Sequence, residues 1–503
     1  MEIAQWRGVA SAKHGAERLT ITAQDNEVTM SNAPASEARI SRRTLLGALA
    51  AAPLAVTPLA LSGCAKGGSS ATTTAKLPSG KVSGTLDYWI TDLDSIDTKT
   101  VNKYKSIYVT PFEAKYPKVH INAEPQNDQG LSQKLQTALS AGQGPDILPL
   151  NSTLAIPFAQ AGYLANLGPL AKSERWERTF LPWALDIGVV DHKLVALPVS
   201  YETLVLYYNK TLFQQHGWTP PTNRAELTSV AAKMESAGII PFTNANADYH
   251  GATEHVLSCF FNMVAGPGKI HDALSGTIPW TDPAIVGSVQ LMVDYFNKGW
   301  FSGGVKQYLS TTDPEKYANL TNGKTAMFLS GTWEIIAMNQ YFAHSGHDWD
   351  WAPLPSLAPQ VPHNFFPLSI GDVIGINSAT QSMPAAEAYL AWRLTDVAAR
   401  WKAVKAVGDE PLPIAFNAAS APASIDPRFI SQYAAISKAS VKKMVGYVTW
   451  TSFGNAAESY LLDNEDRLLT GNLTPGDFCA ALNQAFQSDH KKGLIPPVFA
   501  TSA

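Results

Sequence analysis

Charge is sparse in this chain of 503 residues: charged side chains make up 16%, and the formal net charge is -4. There is no basic stripe, which argues against nucleic-acid binding, and no polybasic patch of the kind that holds a protein on a membrane surface. Cysteine is scarcer still. Cys64, Cys259 and Cys479 are the full set, too few for a disulfide scaffold. No Cys-x-x-Cys, Gly-x-Ser-x-Gly or His-Glu-x-x-His occurs, so the local signatures of a dithiol centre, a serine-hydrolase elbow and a zinc-protease helix are missing. His344 and His347 lie three apart without a clear third ligand, and no metal site is expected. Gly323-Lys-Thr325 imitates the end of a phosphate loop. Such a loop needs another Gly five residues earlier, where Ala318 stands. Nucleotide binding is therefore rejected, and no cofactor is expected.

Apolar mass is abundant. Hydrophobic residues make up 45% of the chain, with 13 Trp, enough for a large core and for two or more domains. The N-terminal part reads as an address. Residues 1–40 are polar and show no helical or strand period. Ser41-Arg-Arg-Thr-Leu-Leu46 then precedes a weakly apolar run to Leu61, broken by Pro53 and Pro58. That run is short for a membrane span of roughly 20 residues. The paired arginines resemble a twin-arginine export signal, and Leu61-Ser-Gly-Cys64 resembles a bacterial lipobox. The expectation is a leader over residues 1–64, export, and diacylglycerol on Cys64 as an anchor to the outer face of the cell membrane. Residues 65–84, rich in Gly, Ser and Thr, form a flexible tether. Export leaves Cys259 and Cys479 two choices, a pair in an oxidising compartment or two buried thiols.

Beyond the tether, strand and helix patterns alternate. Gly84-Thr-Leu-Asp-Tyr-Trp-Ile90 reads as a first strand. Val101, Tyr104, Tyr108 and Phe112 follow at helical spacing, with Pro111 dividing or kinking that helix. Leu131, Leu135 and Leu139 share one helix face. Alternation of this kind predicts right-handed crossovers and a largely parallel sheet. Val205, Leu206, Tyr207 and Tyr208 read as a buried strand, with Asn209 capping the helix after it. Asn223 or Thr222 caps another helix, residues 284–300 form a further one, and residues 384–401 another.

Several of these words occur in an order that resembles the family-1 extracellular solute-binding proteins of ABC-type sugar importers. They are Phe112-Glu-Ala-Lys-Tyr-Pro117, Gly142-Gln-Gly-Pro-Asp-Ile147, Leu206-Tyr-Tyr-Asn-Lys210, Gly323-Lys-Thr-Ala-Met327 and Gly331-Thr-Trp333. The resemblance runs from about Gly84 to the C-terminus. It implies an α/β, two-lobed periplasmic-binding-protein-like fold with an interlobe cleft and crossing hinge strands. Lobe I would comprise residues 85–200 and 350–408, and lobe II residues 201–349 and 409–503. Crossings are expected near Tyr201, at Trp349-Asp-Trp-Ala-Pro-Leu-Pro355 and at Gly408-Asp-Glu-Pro-Leu-Pro413.

In open α/β sheets ligands bind beyond the carboxyl ends of the strands. That rule directs attention to Trp89, whose face suits a sugar ring, and to Asp92 and Asn151 as hydroxyl partners. The resemblance adds Tyr201 and Glu202 at the cleft mouth, His250 on a turn-rich loop, Trp333 facing the ligand, and Trp450. Within the Gly-rich strand after the second crossing, Asp372 is a hydroxyl partner, and Gly371 would let the ligand approach the backbone. The function implied is capture of a sugar or oligosaccharide by lobe closure and its delivery, chemically unchanged, to ABC permease subunits, by a monomer with no catalytic residue. Two rivals stay open: a secreted glycosidase, and a binder of a non-sugar such as a polyamine or glycerol phosphate.

Overall fold

The computed structural model describes residues 82–91, 97–126 and 130–499. Cys64, Asp92, the leader and most of the tether fall outside these described residues. In chain order the strands are β1 Gly84–Ile90, β2 Val119–Pro125, β3 Ile147–Asn151, β4 Val189–Val190, β5 Lys193–Leu194, β6 Ala196–Pro198, β7 Glu202–Asn209, β8 Ile240–Phe242, β9 Thr325–Gly331, β10 Trp349–Ala352, β11 Phe366–Ser369, β12 Asp372–Ile376 and β13 Val445–Tyr447. They build two larger sheets, ordered β2-β1-β3-β12-β6 and β13-β11-β7-β9-β8, with β10 beside β7; β4 and β5 form a small hairpin.

Each sheet is mixed rather than largely parallel. The pairs β1/β2 and β1/β3 are parallel, as the strand–helix alternation requires. β12 runs antiparallel to both β3 and β6, because it belongs to chain returning from the other sheet. The exchanges between sheets are short. Residues 199–201 carry the chain from β6 to β7, and residues 370 and 371 carry it back from β11 to β12. The stretch Trp349–Ala352, expected as a crossing, instead pairs antiparallel with β7 over Leu206 to Asn209. It stays in the second sheet because its alternate residues find partners there: Trp349 is 1% exposed and packs edge-on against Tyr207.

Local readings of the helices mostly match the structure, with a physical reason in each case. Val109 separates helices Thr98–Tyr108 and Thr110–Lys115, and Pro111 falls in the first turn of the second, where its missing N–H costs nothing. Asn209 and Asn223 accept hydrogen bonds from Leu212 N and Glu226 N, both at 3.0 Å, as N-caps. The expected helix over residues 384–401 is two helices, Met383–Thr395 and Val397–Val407. Asp396 leaves the helical region and caps the second through Ala399 N.

Three apolar cores hold the sheets. Tyr389, Phe112 and Trp176 pack under the first. Trp280, Phe260 and Phe486 belong to the core beside the second. A third joins Leu148 of β3 to Tyr207 of β7, with Tyr433 and Trp349, so apolar packing continues from one sheet to the other. Cys259 and Cys479 are free and buried. Burial pushes both thiols up, that of Cys479 to about 12. No helix among the described residues is long and apolar enough to cross a membrane.

Candidate binding site at the seam of the two sheets

The wall belonging to the first sheet is made of strand ends. β3 stops at Asn151 and β12 starts at Asp372, paired in register. Val199 N donates to the Asp372 carbonyl at 3.0 Å, and Ser200 Oγ donates to Asp372 Oδ2 at 3.4 Å. Asn151 is already engaged: its Oδ1 accepts from Leu154 N at 3.0 Å and from Thr153 Oγ1 at 2.7 Å, capping the helix Ser152–Gln160. Trp89 is the penultimate residue of β1, half-buried, and Lys134 Nζ stands 4.3 Å from its ring centroid.

The exchange segments add two more expected residues and move them apart. Tyr201 is 2% exposed. Its ring meets Tyr433 edge-on at 5.2 Å, and its carbonyl accepts from Tyr433 Oη at 3.1 Å. Tyr201 therefore packs the core and offers its ring to nothing in the seam. Glu202 begins β7, half-buried, and lies against Gly371. A Cβ at Gly371 would stand 1.6 Å from Glu202 Oε1. The glycine expected to admit a ligand thus admits the Glu202 carboxylate. Glu410 is buried nearby, and desolvation pushes its carboxyl up to about 8.

The wall belonging to the second sheet is aromatic. β9 ends at Gly331, and the turn Thr332–Glu334 follows. The Trp333 ring folds back over Gly331, where a Cβ would lie 2.0 Å from Cζ3. Glu334 anchors this turn: it accepts from Ser330 Oγ at 2.8 Å and from Tyr317 Oη, with Lys316 Nζ at 3.5 Å. Trp450 stands in the turn Thr449–Ser452, held by Thr449 N donating to Ser258 Oγ at 3.0 Å. The two half-buried indoles approach to 6.1 Å at 72°. Between them sits His255, with ring centroids 5.1 Å from Trp333 and 4.6 Å from Trp450. Burial, with Lys316 adding to it, lowers the His255 pKa to about 3, so the imidazole is neutral at ordinary pH. Tyr249 lies 5.8 Å from His255. The expected His250 is exposed on the turn, and among the described residues no ring contact ties it to this cluster.

The walls touch at one edge. Ser152 Oγ donates to the Thr451 carbonyl at 2.6 Å. Beside it, burial pushes the Glu458 carboxyl up to about 7, with Thr153 acting weakly the other way. Of the expected residues, the structure brings Trp333 and Trp450 together, and Asn151 and Asp372 together. His255 and Glu458 escape a reading of the chain. His255 lies between Glu254 and Val256 in the helix Ala252–Phe260, and only long-range ring contacts mark it out. Among the described residues no group of His, Cys, Asp and Glu is arranged to hold a metal ion.

The bacterial extracellular solute-binding protein family model matches residues 97–400. The chain belongs to that family. This solute-binding protein resembles a Brucella abortus protein at 34% identity over 128 residues, 25% of this chain and 31% of that one. The chain thus spans under a third of the length of the first curated relatives it matches. A galactooligosaccharide-binding protein of Bacillus subtilis is 25% identical over 222 residues, 43% of this chain and 49% of that one. Among solved structures, a chitin oligosaccharide binding protein superposes with a TM-score of 0.69 at 20% identity, covering 81% of this chain and 98% of that one. At that identity the likeness is one of fold: two lobes, each built on a sheet.

Proposed function

We propose that this solute-binding protein captures an oligosaccharide between its two sheets and hands it, unchanged, to the permease of an ABC importer. The observation that carries the reading is the Trp333–Trp450 pair, two half-buried indoles at 72° at the seam. Indole faces suit the C–H faces of pyranose rings, and a near-perpendicular pair offers differently directed faces to successive sugar units. Asp372 on the first sheet and Glu202 at the start of β7 supply carboxylates for hydroxyls. The oligosaccharide-binding names carried by similar proteins support the same class of ligand.

Binding works by population shift: a ligand touching both walls favours the arrangement in which Ser152 meets Thr451. Trp333, Trp450, Glu202, Asp372 and Trp89 are the proposed ligand neighbours; Asn151 serves the site as a helix cap, and the expected Asp92 lies outside the described residues. His250 is the least supported of the expected set, and Tyr201 acts through packing. The export reading completes the scheme, with lipid on Cys64 tethering the protein at the outer face of the cell membrane.

The test is a thermal-shift screen of purified protein over mono- and oligosaccharides, followed by product analysis of the incubated sugars. The expected result is a rise in Tm with an oligosaccharide that is recovered intact. Cleaved sugar would establish the glycosidase instead, and the absence of any shift would remove saccharides as ligands.

A further inference from the structure

The wall belonging to the first sheet contains a cavity of about 40 Å³. Thr91, Val199 and Asp372 line it at the seam ends of β1, β6 and β12, with Arg393 and Asp409 behind them. A water needs roughly 10–15 Å³ of such space. The cavity therefore has room for a group the size of a hydroxymethyl and none for a sugar ring.

Arg393 is the unusual part of its lining. Three lysines and arginines are buried among the described residues: Lys316, Arg393 and Arg400. Lys316 has Asp313 at 2.9 Å, and Arg400 has Asp409 at 2.5 Å. Arg393, 6% exposed, has no carboxylate within ion-pair distance among the described residues, and its Nε and Nη1 have no hydrogen-bond partner. Arg400 also keeps two unpartnered nitrogens, but its Nη1 holds both Asp409 and the Glu410 carbonyl. The Arg393 guanidinium lies 4.3 Å from the Tyr108 ring centroid and 5.9 Å from that of Tyr104. Those rings steady its charge and leave its N–H donors unused. A buried donor without an acceptor costs stability, so one kept beside a cavity calls for an occupant.

The lining also defines the occupant's chemistry. Asp409 is engaged, by Arg400 and Glu410 N through Oδ1 and by Tyr108 Oη through Oδ2 at 2.6 Å. Asp372 takes Ser200 at 3.4 Å, and a carboxylate has further lone pairs to offer. An anion here would meet two carboxylates, and a cation would meet Arg393. A hydroxyl suits both sides, because it accepts and donates at once.

We infer that this cavity is a subsite for a hydroxymethyl arm of the saccharide, its hydroxyl accepting from Arg393 and donating to Asp372. This rests on the oligosaccharide reading above and deepens it. Arg393 joins the site from a helix, Met383–Thr395, behind the sheet.

The experiment is calorimetric titration of the full chain with cellotriose and maltotriose, each against the trimer of 6-deoxyglucose with the same linkage. A site built around a hydroxyl rejects the analogue lacking it, because its buried donor is left unpaired again. The trimer that binds is expected to do so about tenfold more tightly than its deoxy counterpart. Arg393→Met is expected to cut that preference to roughly twofold, and Arg393→Lys, which keeps a charge and a donor, to restore part of it. Tm checks that each variant folds. Should Arg393→Met fail to fold, Asp372→Ala tests the same ratio from the other side of the cavity and is expected to lower it. Equal affinity for a trimer and its deoxy counterpart means that the cavity holds only water; this overturns the inference and leaves the oligosaccharide reading standing. A preference unchanged in folded Arg393→Met, or in folded Asp372→Ala, also overturns it. Silence from all four trimers overturns it as well, while the wider saccharide screen decides the oligosaccharide reading separately.

Discussion

The two walls of the seam use their side chains differently. On the first, polar groups are already at work in the fold: Asn151 caps a helix, and Asp372 takes Ser200 and holds the β6–β12 connection. On the second, the rings of Trp333, His255 and Trp450 contact one another and stay half-buried. One wall fixes position; the other holds apolar area in reserve. Apolar area that folding leaves partly uncovered is what a ligand can cover with gain.

If the division is right, the largest effect on affinity comes from the aromatic wall. Trp333→Ala is expected to weaken saccharide binding by about 2 kcal/mol, roughly thirtyfold in Kd, while the protein stays folded. Its turn is anchored through Glu334 rather than through the indole, which is why folding should survive. Calorimetry on the variant measures this, and an unchanged Kd in a folded protein would place the ligand elsewhere.

The polar wall should respond in the opposite way. Asn151→Ala removes a side-chain cap and is expected to cost about 1 kcal/mol of stability. Chemical denaturation would register it as a lower midpoint with an unchanged slope. A fall in affinity well beyond the fall in stability would show instead that Asn151 binds ligand, and the contrast between the walls would weaken.

The same contrast explains what the chain discloses about itself. β7 was legible because Val205 to Tyr208 are residues that suit a pleated, buried surface, and the cap at Asn209 is local. Trp333 was named from the resemblance, through Gly331-Thr-Trp333, and in the structure its indole lies where a Cβ on Gly331 would stand. The resemblance to a known family supplied the two-lobed plan, which periodicity alone would not have. Less visible was anything settled by long-range pairing. β10 looked like a crossing, yet its place beside β7 depends on partners some 140 residues away. His255 depends on two turns 78 and 195 residues further along the chain. Tyr201 had the right neighbours in sequence, but Tyr433 draws its ring inward.

The smallest effect concerns the contact between the walls. Ser152 is 1% exposed and its hydroxyl donates to Thr451 at 2.6 Å. A hydrogen bond of this kind contributes about 1 kcal/mol net, because the open arrangement recovers water on both groups. Ser152→Ala should therefore leave Tm with ligand absent nearly unchanged and populate more open molecules. Ligand would leave up to about fivefold faster, since release follows opening. Stopped-flow release separates this from Asn151→Ala, one residue away, whose effect falls on stability. Release at the parental rate from a folded Ser152→Ala would mean that the walls are held together by the apolar core joining Leu148 to Tyr207, with the polar edge contributing nothing to closure.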